Sequence, residues 1–162
     1  MDNIIIRTAT LDDLQTLLDF EQGIAAFERP LDPTLKEGEI HYYDLARLIG
    51  SPDAEVVVAA AGAELVGSGY AHIQNAKNYL RHLQYAHLGF MYVKPAYRGK
   101  GINSMIMDAL KQWCLGQNIT ELRLEVYHKN TAAIKAYEKA GFTRNLVEMR
   151  IDLNDQAKPQ PQ

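Results

Sequence analysis

Arg98-Gly-Lys-Gly101 stands between an apolar run, Leu88 to Val93, and an amphipathic segment that opens at Ile102. A glycine turn that starts a helix leaves several backbone N–H groups unpaired and pointing one way. With the positive end of the helix dipole, those donors suit a phosphate or pyrophosphate. Arg98 and Lys100 add positive charge at the same place. These residues name a ligand class before they name a reaction. The spacing is neither Gly-x-Gly-x-x-Gly nor Gly-x-x-x-x-Gly-Lys-Ser/Thr, so two familiar nucleotide fingerprints fail. On this segment alone, a tight turn with two solvated cations is an equal reading.

A second marked stretch is Asn130-Thr-Ala-Ala-Ile-Lys-Ala-Tyr-Glu-Lys-Ala-Gly-Phe142. Asn130 is placed to cap a helix or to bond an extended amide ligand. Ala133 and Tyr137 stand one turn apart on one face, and the small Ala133 leaves room beside the ring. Read locally, this is a helix cap and a core tyrosine.

The elements that would position these residues follow from periodicity and punctuation. Ile4-Ile-Ile6 reads as a short strand, and Thr10 caps a helix with Asp12 and Asp13 in its first turn. Pro30 and Pro33 break the chain, and a second helix is expected over 34–49. Residues 55–61 and 65–73 read as strands joined by a turn at Ala61-Gly-Ala63. Gly67 and Gly69 predict close approach by another backbone. Residues 85–93 form the next strand. Helix 101–116 carries Ile102, Met105, Ile106, Ala109, Leu110 and Trp113 on one face. Strand 122–127 puts Leu122, Leu124 and Val126 on one side and Glu125 on the other. Helix 131–140 ends at Gly141, and 142–153 returns as a strand. The hairpins demand antiparallel pairs, while the strand–helix–strand unit 85–127 allows a parallel one. The expectation is an α/β fold: a mixed, largely antiparallel sheet with helices on both faces. One domain, 1–153, is expected, with 154–162 as a disordered tail.

Bulk properties exclude several classes. The chain has 162 residues and a net charge of −3, which argues against a general nucleic-acid binder. No apolar run is long enough to span a membrane, and the N-terminus lacks signal-peptide features. The single cysteine, Cys114, fits a reducing cytoplasm and a packing role. The five histidines, at 41, 72, 82, 87 and 128, show no paired metal-ligand spacing, so no metal is expected.

Together, the two segments resemble the GNAT family of N-acetyltransferases. That family carries Val-x-Pro-x-Tyr-Arg-Gly-x-Gly-Ile and, later, Asn-x-x-Ala-x-x-x-Tyr-Glu-Lys-x-Gly-Phe, and both stand here in order. The resemblance implies a fold with splayed central strands and acetyl-CoA as co-substrate. Backbone groups of Met91 and Val93 would pair with the pantetheine arm, as an added strand does. The turn Arg98, Gly99, Gly101, Ile102, Asn103 and Ser104 would hold the pyrophosphate, and Asn130 and Tyr137 would meet the arm beyond it. Asn103 departs from the small residue that the family prefers, which implies a looser or shifted grip.

The resemblance also assigns chemistry. Tyr137 would protonate the departing thiolate, since a phenol near its ordinary pKa of ~10 is protonated at neutral pH. A backbone N–H near Met91 or Tyr92 would polarise the thioester carbonyl. Many members place a basic glutamate where this chain has Gly89. Another branch uses the glutamate of Leu-Glu-Val, here Leu124-Glu-Val126, which makes Glu125 the candidate base. The competing reading of Glu125 is a solvated carboxylate paired to Arg123 or Lys129. His87 and Glu28 are weaker candidates.

Between Asp19 and Asp44 seven acidic residues face only Arg29 and Lys36, an acidic stretch that would attract a cationic amine. An ordinary charged helix surface explains it as well. The implied activity is N-acetylation of a primary amine of a small molecule or peptide. The alternatives are an acyl-CoA-binding sensor and an acetyltransferase for protein N-termini or lysines. The chain is compatible with a homodimer.

Overall fold

The computed structural model describes residues 3–154. It divides into two compact units, the first ending at Asn130 and the second starting at Thr131. The first unit contains β1 (Ile4–Thr8), α1 (Leu14–Glu28), α2 (Leu45–Leu48), β2 (Ala54–Ala61), β3 (Glu64–Asn75), β4 (Gln84–Val93), α3 (Ile102–Gly116) and β5 (Leu122–Arg123). The second contains α4 (Thr131–Lys139). The five strands form one sheet in the order β1-β2-β3-β4-β5. Three pairs are antiparallel, and β4–β5 is parallel. The mixed, largely antiparallel sheet expected from the sequence is present.

Helices cover both faces of that sheet. Leu17 and Phe20 of α1 and Leu45 of α2 pack with Val56, Val58, Tyr70 and Phe90 on one side. α3 packs on β2, β3 and β4 and buries Ile102, Ile106, Met107, Leu110 and Cys114. Small and β-branched residues fill β2 because a strand covered on both faces needs them. The thiol of Cys114 is buried, which pushes its pKa up to about 11 and fits the packing role. A two-residue turn, Gly62-Ala63, joins β2 to β3, and Gly62 supplies a φ of +62°.

Thr10 caps a short 3₁₀ turn, Leu11–Asp13, which leads into α1. The Thr10 N–H donates to the Asp13 carboxylate, which also takes both guanidinium arms of Arg7 at 2.8 and 2.9 Å. That pairing holds the Asp13 carboxyl below its usual range, chiefly through the Arg7 hydrogen bonds. α1 is thereby fixed to the end of β1.

Three expectations need correction. The helix expected over 34–49 reduces to Leu45–Leu48. Backbone groups that a helix would satisfy internally are taken up by α1 side chains. Glu21 accepts the N–H groups of Tyr42 and Tyr43, and the Gln22 amide bonds both the N–H and the C=O of Ile40. The strand expected over 122–127 ladders only at Leu122–Arg123. The strand expected over 142–153 is absent: residues 142–152 join no ladder. Strand preference is realised only against a partner strand, so an alternating pattern alone did not suffice. The expected tail 154–162 lies outside the described residues, except for Asn154.

Candidate active site

The site of interest in the first unit is where β4 leaves β5. Their parallel ladder has two rungs, Ala86↔Leu122 and His87↔Arg123, and none beyond. Past His87 no rung joins β4 to the chain after Arg123, in keeping with the splay that the family resemblance implies. On the other edge of β4, the register against β3 slips between Ser68 and Tyr70, so that Gly69 opposes both Phe90 and Met91. This is a β-bulge, and Phe90 stands in the left-handed region with φ +57°. A phenylalanine there is unusual and strained. The surroundings hold it: Ser68 Oγ donates to the Phe90 carbonyl at 3.0 Å, and the ring meets Tyr43 at 5.5 Å.

The glycines around the bulge have different reasons. A Cβ on Gly67 would sit 2.9 Å from the Tyr92 carbonyl oxygen, the close backbone approach expected. A Cβ on Gly69 would meet side chains instead, those of Ile106 and Met91. A Cβ on Gly89 would sit 2.4 Å from the Tyr70 ring. The space that a side chain at position 89 would need is filled by tyrosine.

After Val93 the chain is pinned back to β3. The Lys94 N–H donates to the Val66 carbonyl, and its ammonium pairs with Glu64 at 2.8 Å. The Tyr97 hydroxyl donates to the same carboxylate. Arg98 Nε bonds the Val93 carbonyl, and Lys100 lies over the Tyr97 ring. Gly99 and Gly101 follow with φ of +77° and +79°, and an added Cβ at either would meet nothing within 4 Å. Gly101 is the N-cap of α3, and no side chain caps that end. The helix start thus offers the backbone donors of Ile102, Asn103 and Ser104 beside an open, glycine-lined cradle. A pyrophosphate fits that donor set.

On the α1 side, residues that the sequence did not single out form an aromatic wall. Tyr43 meets Tyr70 at 5.3 Å, and Tyr70 meets His87 at 6.2 Å between ring centres. Burial is the main force raising the pKa of both tyrosines. Tyr70 stands opposite Gly89 in the β3–β4 register, while Tyr43 lies in the segment before α2, where no local pattern marks it. Nearby, the Tyr42 hydroxyl donates to Glu28, and the Tyr127 hydroxyl donates to Asp32. Burial raises the Glu28 carboxyl, the Tyr42 hydrogen bond opposes this, and the charge of Asp32 raises it further.

Glu125 is exposed, just past the end of β5. Its charge raises the pKa of Tyr70 and opposes the lowering at His87. Arg123 is engaged elsewhere, stacked on Tyr85 and bonded to His82 and Glu121. Met91 and Val93 lie on β4, and the Asn130 N–H donates to the Tyr127 carbonyl. Tyr137 belongs to the second unit, on α4, where its ring meets Phe142 edge-on at 6.0 Å. Gly141 closes α4 with φ +104°, the expected C-terminal glycine.

Among the described residues, no group of three or more acidic, histidine or cysteine side chains could hold a metal ion. No helix there is long and apolar enough to cross a membrane. Two shallow hollows lie elsewhere, beside Glu55 and Trp113.

Comparison with known proteins places this geometry. The family model described as the acetyltransferase (GNAT) family matches residues 18–142. The chain is 26% identical to the bovine thialysine N-ε-acetyltransferase over 149 residues, covering 85% of this chain and 83% of that protein. It superposes on a Bacillus halodurans protein, solved as a tetramutant, with a TM-score of 0.80 and 19% identity. That match covers 92% of this chain and 99% of the other. A predicted acetyltransferase from Clostridium acetobutylicum, solved with acetyl-CoA, gives a TM-score of 0.70 at 14% identity, covering 96% and 100%. These two structures establish the likeness of fold alone.

Proposed function

Because the chain belongs to the GNAT acetyltransferase family, we propose that it transfers an acetyl group from acetyl-CoA to a primary amine of a small molecule or peptide. The observation that carries this is the pair of features along one path. β4 parts from β5 beside a bulge, and an uncapped helix with two left-handed glycines follows. The Clostridium protein of similar fold, solved with acetyl-CoA, supports the co-substrate. The bovine relative's name, an N-ε-acetyltransferase of thialysine, supports an amine on a flexible chain as acceptor.

Acetyl-CoA supplies an activated acyl group as a thioester. The backbone of Met91 and Val93 receives the pantetheine amides, and Asn130 bonds the same arm. The donors from Arg98 to Ser104 take the pyrophosphate, with Gly99 and Gly101 letting it approach the backbone. Backbone N–H groups at the bulge polarise the carbonyl where negative charge develops. Glu125 is the carboxylate of the proton-removing step, and Tyr137 donates a proton to the leaving sulfur. Glu28 and Asp32 make the acceptor side acidic, which favours a cationic amine. The single cysteine fits a cytoplasmic setting. Gly89 does not argue for a degenerate sensor, since Tyr70 occupies the space of a side chain there.

The phosphate assignment is tested by thermal unfolding. Acetyl-CoA binds only the native state and should raise Tm, while acetyl-pantetheine, which lacks the pyrophosphate, should raise it far less. Equal shifts from the two ligands would contradict the assignment.

A further inference from the structure

His87 occupies the last rung of the β4–β5 ladder, where the cleft opens. It lies two residues before Gly89, ~7 Å along the strand, and on the same face. Its cross-strand partner is His72, and its ring meets Tyr70 at 6.2 Å. Its ring makes no hydrogen bond to another described residue. The titratable groups around it come from three elements: Tyr70 and His72 on β3, Tyr85 on β4 itself, and Arg123 and Glu125 at and past the end of β5. Tyr43 closes the far side of Tyr70. Arg123 is neutralised by Glu121 and stacked on Tyr85.

We propose that the His87 imidazole receives the proton given up by the acceptor ammonium, with the Glu125 carboxylate as counter-charge to the imidazolium. This rests on the N-acetyltransferase reading above and names its proton acceptor. The environment suits the role. Burial lowers the His87 pKa below the ordinary histidine value, Glu125 opposes this, and His72 adds to it. The ring is therefore neutral at pH 7 and free to accept. The ammonium loses one proton to a ring nitrogen of His87. The freed lone pair forms the C–N bond to the acetyl carbon. The C–S bond breaks, and its electron pair leaves on sulfur, which takes the Tyr137 phenolic proton. The second N–H proton returns through water to the Tyr137 phenolate, and His87 releases its proton to solvent. One ammonium thus yields one amide, one thiol and one proton.

The test is the pH profile of kcat/KM for wild type, His87→Gln and Glu125→Gln, beside an NMR titration of the His87 ring in wild type and Glu125→Gln. His87→Gln should lose ~10²-fold in kcat/KM at pH 7, recover at high pH, and keep its acetyl-CoA Kd within about twofold. In Glu125→Gln, the acid limb of the profile and the NMR titration should move together to lower pH, because the counter-charge is gone. The proposal is overturned if the His87→Gln profile matches wild type, if its loss is independent of pH, or if limb and titration move separately. The titration arm decides the matter even where His87→Gln fails to fold. A wild type that releases no thiol with any amine instead overturns the acetyltransferase reading, and this proposal with it.

Discussion

Tyr70 decides what position 89 can be. Its ring lies 2.4 Å from where a Cβ on Gly89 would stand, and Tyr43 blocks its retreat. Gly89→Ala should therefore lower stability by ~1–3 kcal/mol, as overpacking of a filled site does, read from denaturant unfolding. An unchanged midpoint would mean that the ring moves freely. Tyr137→Phe removes a hydroxyl and little volume. It should lower kcat by ~10–10³-fold while leaving acetyl-CoA affinity nearly intact, as separate turnover and binding measurements would show. Unchanged turnover would leave Tyr137 as packing. The two motifs that carry Arg98 to Ser104 and Asn130 to Tyr137 were legible because glycine, proline and cap residues act locally. Tyr43, Tyr70 and the left-handed Phe90 were not, because their meaning arises only from contacts between distant segments.

Among the elements, the segment between α1 and α2 shows why helical periodicity over 34–49 misled. Glu21, fully buried, accepts from the Tyr42 and Tyr43 N–H groups and bonds His41 Nδ1 at 2.9 Å. A side chain twenty residues away thus outcompetes local hydrogen bonding, and no local pattern announces it. Glu21→Gln keeps the shape but puts an amide donor among backbone donors. It should cost ~2–3 kcal/mol of stability, since hydrogen bonds to a charged group are at stake. Because Tyr43 rides on this segment, KM for the amine should rise as well, while the acetyl-CoA Kd stays put. A variant as stable as wild type, by denaturant unfolding, would show that the segment is held by something else. The β4–β5 splay was foreseen, yet the shortness of β5 was not. Leu122 to Val126 alternates like a full strand, but only two rungs find partners before β4 turns away at its bulge.

At the scale of the whole chain, length, charge and element order led to the observed fold class. The sheet order β1-β2-β3-β4-β5 follows sequence order, and hairpin signals account for two of its four pairs, β2–β3 and β3–β4. The missing ladder at 142–152 marks the limit of that reading, because pairing is a property of two segments. The chemistry proposed for this member of the GNAT acetyltransferase family is transfer of an acetyl group from sulfur to nitrogen. The measurement that meets it most directly is release of free thiol from acetyl-CoA against a panel of primary amines, with mass analysis of each amine. Thiol release that depends on an amine, matched one to one by an amine heavier by one acetyl group, is the expected result. Acetyl-CoA that binds and raises Tm, yet releases no thiol with any amine or releases it without an acetylated product, would contradict the claim.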